Sequence, residues 1–141
     1  MDRHTPEQRS RNMSAIRSRN TAPEMRVRSL LHSLGFRFRI HPGNLPGKPD
    51  IVLPKYRAVI FVHGCFWHCH RCSNGRRVPA TNSEYWSAKR AANVARDKRN
   101  VSALKAVSWN VATIWECNTL SEARIVAALG KLCLPRLPNT E

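Results

Sequence analysis

Two stretches of this sequence carry residue types whose spacing suits chemistry. The first is His63-Gly-Cys65-Phe-Trp-His68-Cys69-His70-Arg-Cys72, where six of ten residues are Cys or His although the chain holds only 11 such residues in 141. Zinc takes four thiolate or imidazole ligands in a tetrahedron, and ligands this close together can wrap it from one loop. The fourth ligand usually comes from elsewhere, and Cys117 directly follows the apolar run Trp109–Trp115. Cys65, His70, Cys72 and Cys117 are therefore expected to form a closed structural zinc site, with Cys69 the alternative to His70. A chance gathering of buried thiols and solvated imidazoles is the plainer reading, and the density of the cluster argues against it. Cys133, at the end of the last expected helix, reads as an ordinary buried cysteine.

The second stretch is acidic. Only nine residues are Asp or Glu, and Asp50 stands out among them, because it follows Gly47-Lys-Pro49 and opens the apolar run Asp50–Leu53. A carboxylate at a strand end is aimed rigidly at a cleft, where it can hold Mg²⁺ for phosphodiester hydrolysis. Pro-Asp is also a common turn pair. The following strand, Arg57–His63, ends on His63, and a hairpin would bring that imidazole beside Asp50. One group for a metal and one for a phosphate suits phosphoryl chemistry, whereas a hydrogen-bonded core histidine is the simpler alternative for His63.

Helices and strands must position these groups. Thr5-Pro6 with Gln8 marks a first, polar helix carrying Met13 and Ile16. Thr21-Ala-Pro-Glu24 is a second capping box, opening a helix with Met25, Val27, Leu30, Leu31 and Leu34 on its apolar face and Gly35 at its end. Phe36–His41 alternates apolar and basic residues, as a half-exposed strand does. Pro42–Pro49 is a loop. Asn82 or Ser83 opens a long helix to about Val107, with Trp86, Ala92, Val101, Leu104 and Val107 among its apolar positions. Trp109–Trp115 reads as a central strand. Thr119-Leu-Ser-Glu122 reads as a third capping box for a helix to about Cys133, before a loose tail from Leu134. The fold class expected is α/β in one domain, a mixed sheet flanked by helices on both faces with a zinc loop at one end.

Charge narrows the partner. Lys and Arg total 24 against nine acidic residues, a formal net charge of +15, and Arg outnumbers Lys 18 to 6. Such an excess suits a polyanion, because neutralised phosphates release counterions and a guanidinium grips a phosphate with two bonds. An arginine-rich solvated surface is the competing reading. No basic amphipathic helix with a large apolar face stands out, so a membrane surface is disfavoured. MDRHTPEQRSRN has no apolar core of a signal peptide, and cysteines in such a chain are expected reduced. A cytoplasmic monomer is expected.

Leu45-Pro-Gly-Lys-Pro-Asp50, Val59-Ile-Phe-Val-His-Gly-Cys-Phe-Trp-His68, Val78-Pro-Ala-Thr81 and Trp115-Glu-Cys117 together resemble the very short patch repair (Vsr) DNA mismatch endonucleases, over about Arg11 to Cys117. The resemblance implies a restriction-endonuclease-like fold, one structural Zn²⁺, and a Mg²⁺-dependent nick 5′ of the thymine in a T:G mismatch. It makes Asp50 the essential metal carboxylate and gives the Val62 backbone carbonyl to magnesium; members of the family carry Thr there, but a main-chain ligand survives the change. It places His63 on the phosphate or its metal-held water, His68 as proton acceptor or acid, Asp97 as the group orienting a histidine, and Glu24 as an auxiliary acid. Glu24 equally completes a capping box.

A T:G pair is weakly destabilised, so prying the stack open with apolar wedges is an economical way to find it. The resemblance gives that task to Phe66, Trp67 and Trp86 from one groove and Met13 from the other; core packing is the competing role for Trp86. Lys89, Arg90, Arg96, Lys98 and Arg99 are expected to track phosphates or to form a solvated helix face. Ser73-Asn-Gly-Arg-Arg77 departs from the family, where an apolar-aromatic stretch is expected. Two other functions compete, a restriction-type nuclease cutting matched DNA and a non-catalytic zinc-stabilised DNA-binding module. The partner expected is duplex DNA with a T:G mismatch; cooperating repair proteins are left open.

Overall fold

The structure, a computed structural model, describes residues 20–65, 70–72, 75–76, 81–132, 134–135 and 137. The first expected helix, Met13, Phe66, Trp67, His68, Cys69 and Cys133 lie outside the described residues.

Helix α1 spans Ala22–Ser33. Its N-cap is Thr21, whose hydroxyl accepts the Glu24 N–H at 3.3 Å, and Pro23 sits in the first turn, where its missing donor costs nothing. The reciprocal half of the expected capping box is displaced by one residue: the Glu24 carboxylate accepts from the Asn20 N–H at 2.8 Å rather than from Thr21. At the other end Gly35, at φ 83°, allows the Gly35 N–H to reach His32 O and the Phe36 N–H to reach Leu31 O, a Schellman closure.

Four strands follow in a mixed sheet of order β1-β2-β3-β4: β1 Arg39–Ile40, β2 Ile51–Leu53, β3 Ala58–His63 and β4 Asn110–Trp115. The first three pair antiparallel, and β4 runs parallel to β3. Between them the 24-residue helix α2, Ser83–Ala106, makes the crossover that a parallel pair requires. Helix α3, Glu122–Leu129, closes the fold.

Alternation along the strands builds two cores. Ile51, Leu53, Ala58, Ile60, Ala112 and Ile114 pack with Val27, Leu30 and Leu31 of α1 and Ile125, Val126 and Leu129 of α3. Val52, Val59 and Phe61 point the other way, with Leu104 of α2. Helices thus cover both faces, as the sequence led us to expect.

Several boundaries differ from expectation. β1 has two residues rather than six, because its partner β2 has only three before Pro54 starts a 3₁₀ turn, and Phe36 leaves the strand line to enter the core. β4 is an edge strand of the described sheet, not a central one. α3 is capped by Ser121, whose hydroxyl accepts the Arg124 N–H; the Thr119 hydroxyl instead donates to Glu116 O at 2.8 Å inside the 3₁₀ segment Glu116–Leu120. α3 stops at Leu129, and Leu134, in the segment read as a loose tail, is buried in the core. Met25 and Val107, expected on apolar faces, are about half exposed.

The loop entering β2 is tied to α2 through Gly47. Its φ is +73°, and a Cβ there would lie 2.7 Å from the Asn100 side chain. Gly47→Ala should therefore lower stability by about 1–3 kcal/mol in urea unfolding. Gly130→Ala, with open space around the new Cβ and a right-handed backbone, should leave it within about 0.5 kcal/mol. Equal effects at both glycines would refute this role of Gly47.

Candidate active site and metal centre

The β3–β4 register sets the geometry. His63 lies opposite Trp115 in the parallel ladder, so Cys65 and Cys117, each two residues further on, leave the sheet side by side. The Cys117 N–H points at Cys65 Sγ at 3.4 Å, and Cys117 Sγ lies 3.5 Å from His70 Nδ1. The His70 ring stacks on Trp115 with centroids 4.4 Å apart. Cys65, His70, Cys72 and Cys117 offer ligand atoms that all fall within 4.8 Å of one another, so the four ligands named from sequence converge. Burial, followed by the neighbouring Cys72 and Cys117 thiols, pushes the Cys65 thiol up to about 12, against the pull of the Cys117 N–H. A thiol so placed resists ionising alone and ionises readily beside a cation, which fits a soft divalent metal.

Asp50 stands where the β2–β3 ladder runs out. Its own N–H bonds Ile60 O at 3.1 Å, while its carboxylate Oδ2 accepts the Val62 N–H at 2.7 Å. The side chain thus replaces the missing backbone acceptor and is held rigidly in doing so. His63 follows Phe61 by two residues and faces α2, where its Nε2 lies 3.9 Å from Asp97 Oδ1. Asp50, Val62, His63 and Asp97 line one cleft of about 530 Å³ with Lys48, Arg96 and Asn100. A second, larger groove begins at His63 and Asp97 and runs past His70, Arg71, Lys98 and Lys131. α2 presents Arg90, Asn93, Asp97 and Asn100 along the stripe that continues into Leu104, so its sheet-facing side turns polar at the site.

Glu24 also comes to Asp50, and it brings a residue that sequence reasoning missed. Glu24 is 2% exposed, its Oε1 is 2.6 Å from His41 Nε2, and Glu24, His41 and Asp50 place their ligand atoms within 4.8 Å of one another. The signal was available: His41 ends the alternating run, and in a hairpin it falls across from Asp50. Burial, then the Val62 N–H pulling the other way, then the nearby Glu24 charge leave Asp50 pushed up to about 7. Paired buried carboxylates that resist double ionisation are a fitting seat for a divalent cation.

The family model for the DNA mismatch endonuclease Vsr matches residues 1–74. The type II nicking enzyme V.XorIIP of Xanthomonas oryzae pv. oryzae is 50% identical over 95% of this chain and 98% of its own length. The DNA mismatch endonuclease Vsr of Escherichia coli is 49% identical over 82% of this chain and 74% of its own length. A third relative, the type II nicking enzyme V.NmeAIP of Neisseria meningitidis, is 40% identical over 93% of each chain. This chain belongs to the Vsr family. It is a DNA endonuclease, and the non-catalytic reading of its charge and cysteines is set aside.

For a Vsr-family enzyme the basic surface has an evident use, with one correction. Arg90, expected to track phosphate, is 7% exposed and donates to Gly75 O, so it braces the segment beside the Cys/His cluster. Arg96, Lys98 and Arg99 are exposed. Trp86 is half-buried in the first turn of α2, against Tyr85 and outside both apolar cores. Among the described residues no helix is long and apolar enough to cross a membrane.

Because the folded Asp50 carboxyl titrates near 7 and an unfolded one near about 3.9, the folded state binds the extra proton between those values. Its contribution is fully present below the unfolded value and is lost as pH rises through the folded one. In buffer without added divalent cations, the stability of Asp50→Asn relative to the unsubstituted protein should grow from about pH 4 to about pH 7. A difference that stays flat across that range in urea unfolding would contradict the assignment.

Proposed function

We propose that this enzyme nicks one strand of duplex DNA on the 5′ side of the thymine in a T:G mismatch, initiating very short patch repair, with Mg²⁺ at Asp50 and structural Zn²⁺ at Cys65, His70, Cys72 and Cys117. The observation that carries this reading is the convergence of Asp50, His63 and Asp97 on one cleft beside the basic groove, in a Vsr-family chain. The mixed sheet with its carboxylate at a strand end fits a restriction-endonuclease-like arrangement. A divalent cation would supply Lewis-acid stabilisation of charge on the scissile phosphate and a more acidic water.

The protein's own residues do the positioning. Asp50, fixed by the Val62 N–H, presents a carboxylate that cannot swing away, and Val62 contributes its backbone carbonyl. His63 meets the phosphate, held in orientation by Asp97 from across the cleft, and Arg96 and Lys48 add positive charge at the rim. His68 serves as proton acceptor or acid, and Glu24 supports the Asp50 carboxylate. Phe66, Trp67 and Trp86 wedge beside the mismatch, with Met13 from the opposite groove. Zinc held by the Cys/His cluster would tie the chain after β3 to the chain after β4.

A labelled duplex with one T:G pair should be nicked on the thymine strand only, in Mg²⁺ and not in EDTA, while its matched control stays intact. Asp50→Ala should slow that nick about a thousandfold or more without abolishing binding. Equal cutting of the matched duplex would favour a restriction-type nuclease instead. Separately, Cys72→Ala should release zinc and lower the unfolding midpoint, since structural zinc contributes folding free energy. A Cys72→Ala protein that keeps one equivalent of zinc and its stability would overturn the ligand set.

A further inference from the structure

His41 has no task in the proposed reaction, yet the fold delivers it to Asp50 by register. β1 and β2 pair Arg39 with Val52 and Ile40 with Ile51, and the His41 N–H continues the ladder to Asp50 O at 3.1 Å. Residues directly opposite in an antiparallel pair carry neighbouring side chains. Glu24 reaches the same point from the first turn of α1, and the three side chains place one imidazole nitrogen and two carboxylates within 4.8 Å.

A hydrogen bond to Glu24 is the plainer role for this histidine, its Nε2 lying 2.6 Å from Glu24 Oε1 while Oε2 accepts the Asn20 N–H and faces Arg28. That bond does not account for Asp50, which offers its ligand oxygen within 4.8 Å of both groups. His41 is moreover held at φ +48°, left-handed backbone that a side-chain-bearing residue seldom adopts, and such conformations cluster at ligand clamps. The side chain of His41 is 10% exposed and that of Glu24 3%, so both are largely shielded from solvent where they meet Asp50.

We propose that His41 is a third ligand of the Glu24–Asp50 site, and that its nitrogen makes the site prefer a manganese-class transition ion to magnesium. Magnesium favours oxygen donors and near-ideal octahedral geometry, whereas imidazole raises affinity along the first-row transition series. The inference rests on the reading of Asp50 as the metal carboxylate, and its test separates the two.

The full chain, supplied with one equivalent of Zn²⁺ for the Cys/His cluster, is titrated with Mn²⁺ while free ion is followed by electron paramagnetic resonance, then competed with Mg²⁺. Bound Mn²⁺ should show ¹⁴N coupling in pulsed spectra and should yield only to a large excess of Mg²⁺. His41→Gln, which keeps a hydrogen-bond donor for Glu24 and offers an oxygen, should lose the ¹⁴N signal and weaken Mn²⁺ about tenfold or more. Its Mg²⁺ affinity should stay within about twofold. Absence of ¹⁴N coupling in the unsubstituted protein overturns the proposal whether or not the variant folds. Unchanged Mn²⁺ affinity in His41→Gln, with both ions lost in Asp50→Asn, leaves Asp50 as the metal carboxylate and refutes His41 as a ligand. Retention of both ions by Asp50→Asn refutes the reading of Asp50 and the proposal with it.

Discussion

The parallel pairing of β3 with β4 is the constraint on which the rest of this structure depends. Its register sets His63 beside Trp115 and brings Cys65 to Cys117, residues far apart in sequence. Trp115 then touches both chemistries: its ring meets His63 edge-on at 5.4 Å and stacks on His70 at 4.4 Å. The Cys/His cluster and the Asp50 cleft therefore share one end of this strand pair, where β3 and β4 both finish. A parallel pair needs a long connection, and α2 serves as that connection while supplying Asp97 to the cleft and Leu104 to the core.

The polar groups of the site are held under strong constraint. Asp50 is fixed because its carboxylate fills a gap in the β-ladder, and its pKa lies far above the ordinary carboxylate range because burial and Glu24 oppose its charge. Cys65 is raised likewise, by burial among other thiols. Both sites disfavour their own anions in isolation. A cation held at either would reverse that balance and so link metal binding to local stability.

Much of the architecture was legible because local rules governed it. The cap at Thr21, the glycine stop at Gly35, the two apolar strands and the long helix all follow from short-range chemistry, and the structure places them within a residue or two of the expected ends. The readings that failed were those decided by a partner. β1 is short because β2 is short. Thr119 lost the cap of α3 to Ser121 because its hydroxyl bonds within a 3₁₀ segment. Arg90 is buried because Gly75 O lies within its reach.

By itself the sequence determined which atoms were available: a dense Cys/His run, few carboxylates with one at a strand end, and a large positive charge. Residue types and near-neighbour spacing are written in the chain directly, and so is the family. Only the tertiary structure decided which of those atoms meet. Glu24 could have been no more than a capping residue, and His41 no more than the end of an alternating strand. Strand register and helix docking brought both to Asp50, because a contact between distant residues depends on pairing and packing that no local pattern encodes.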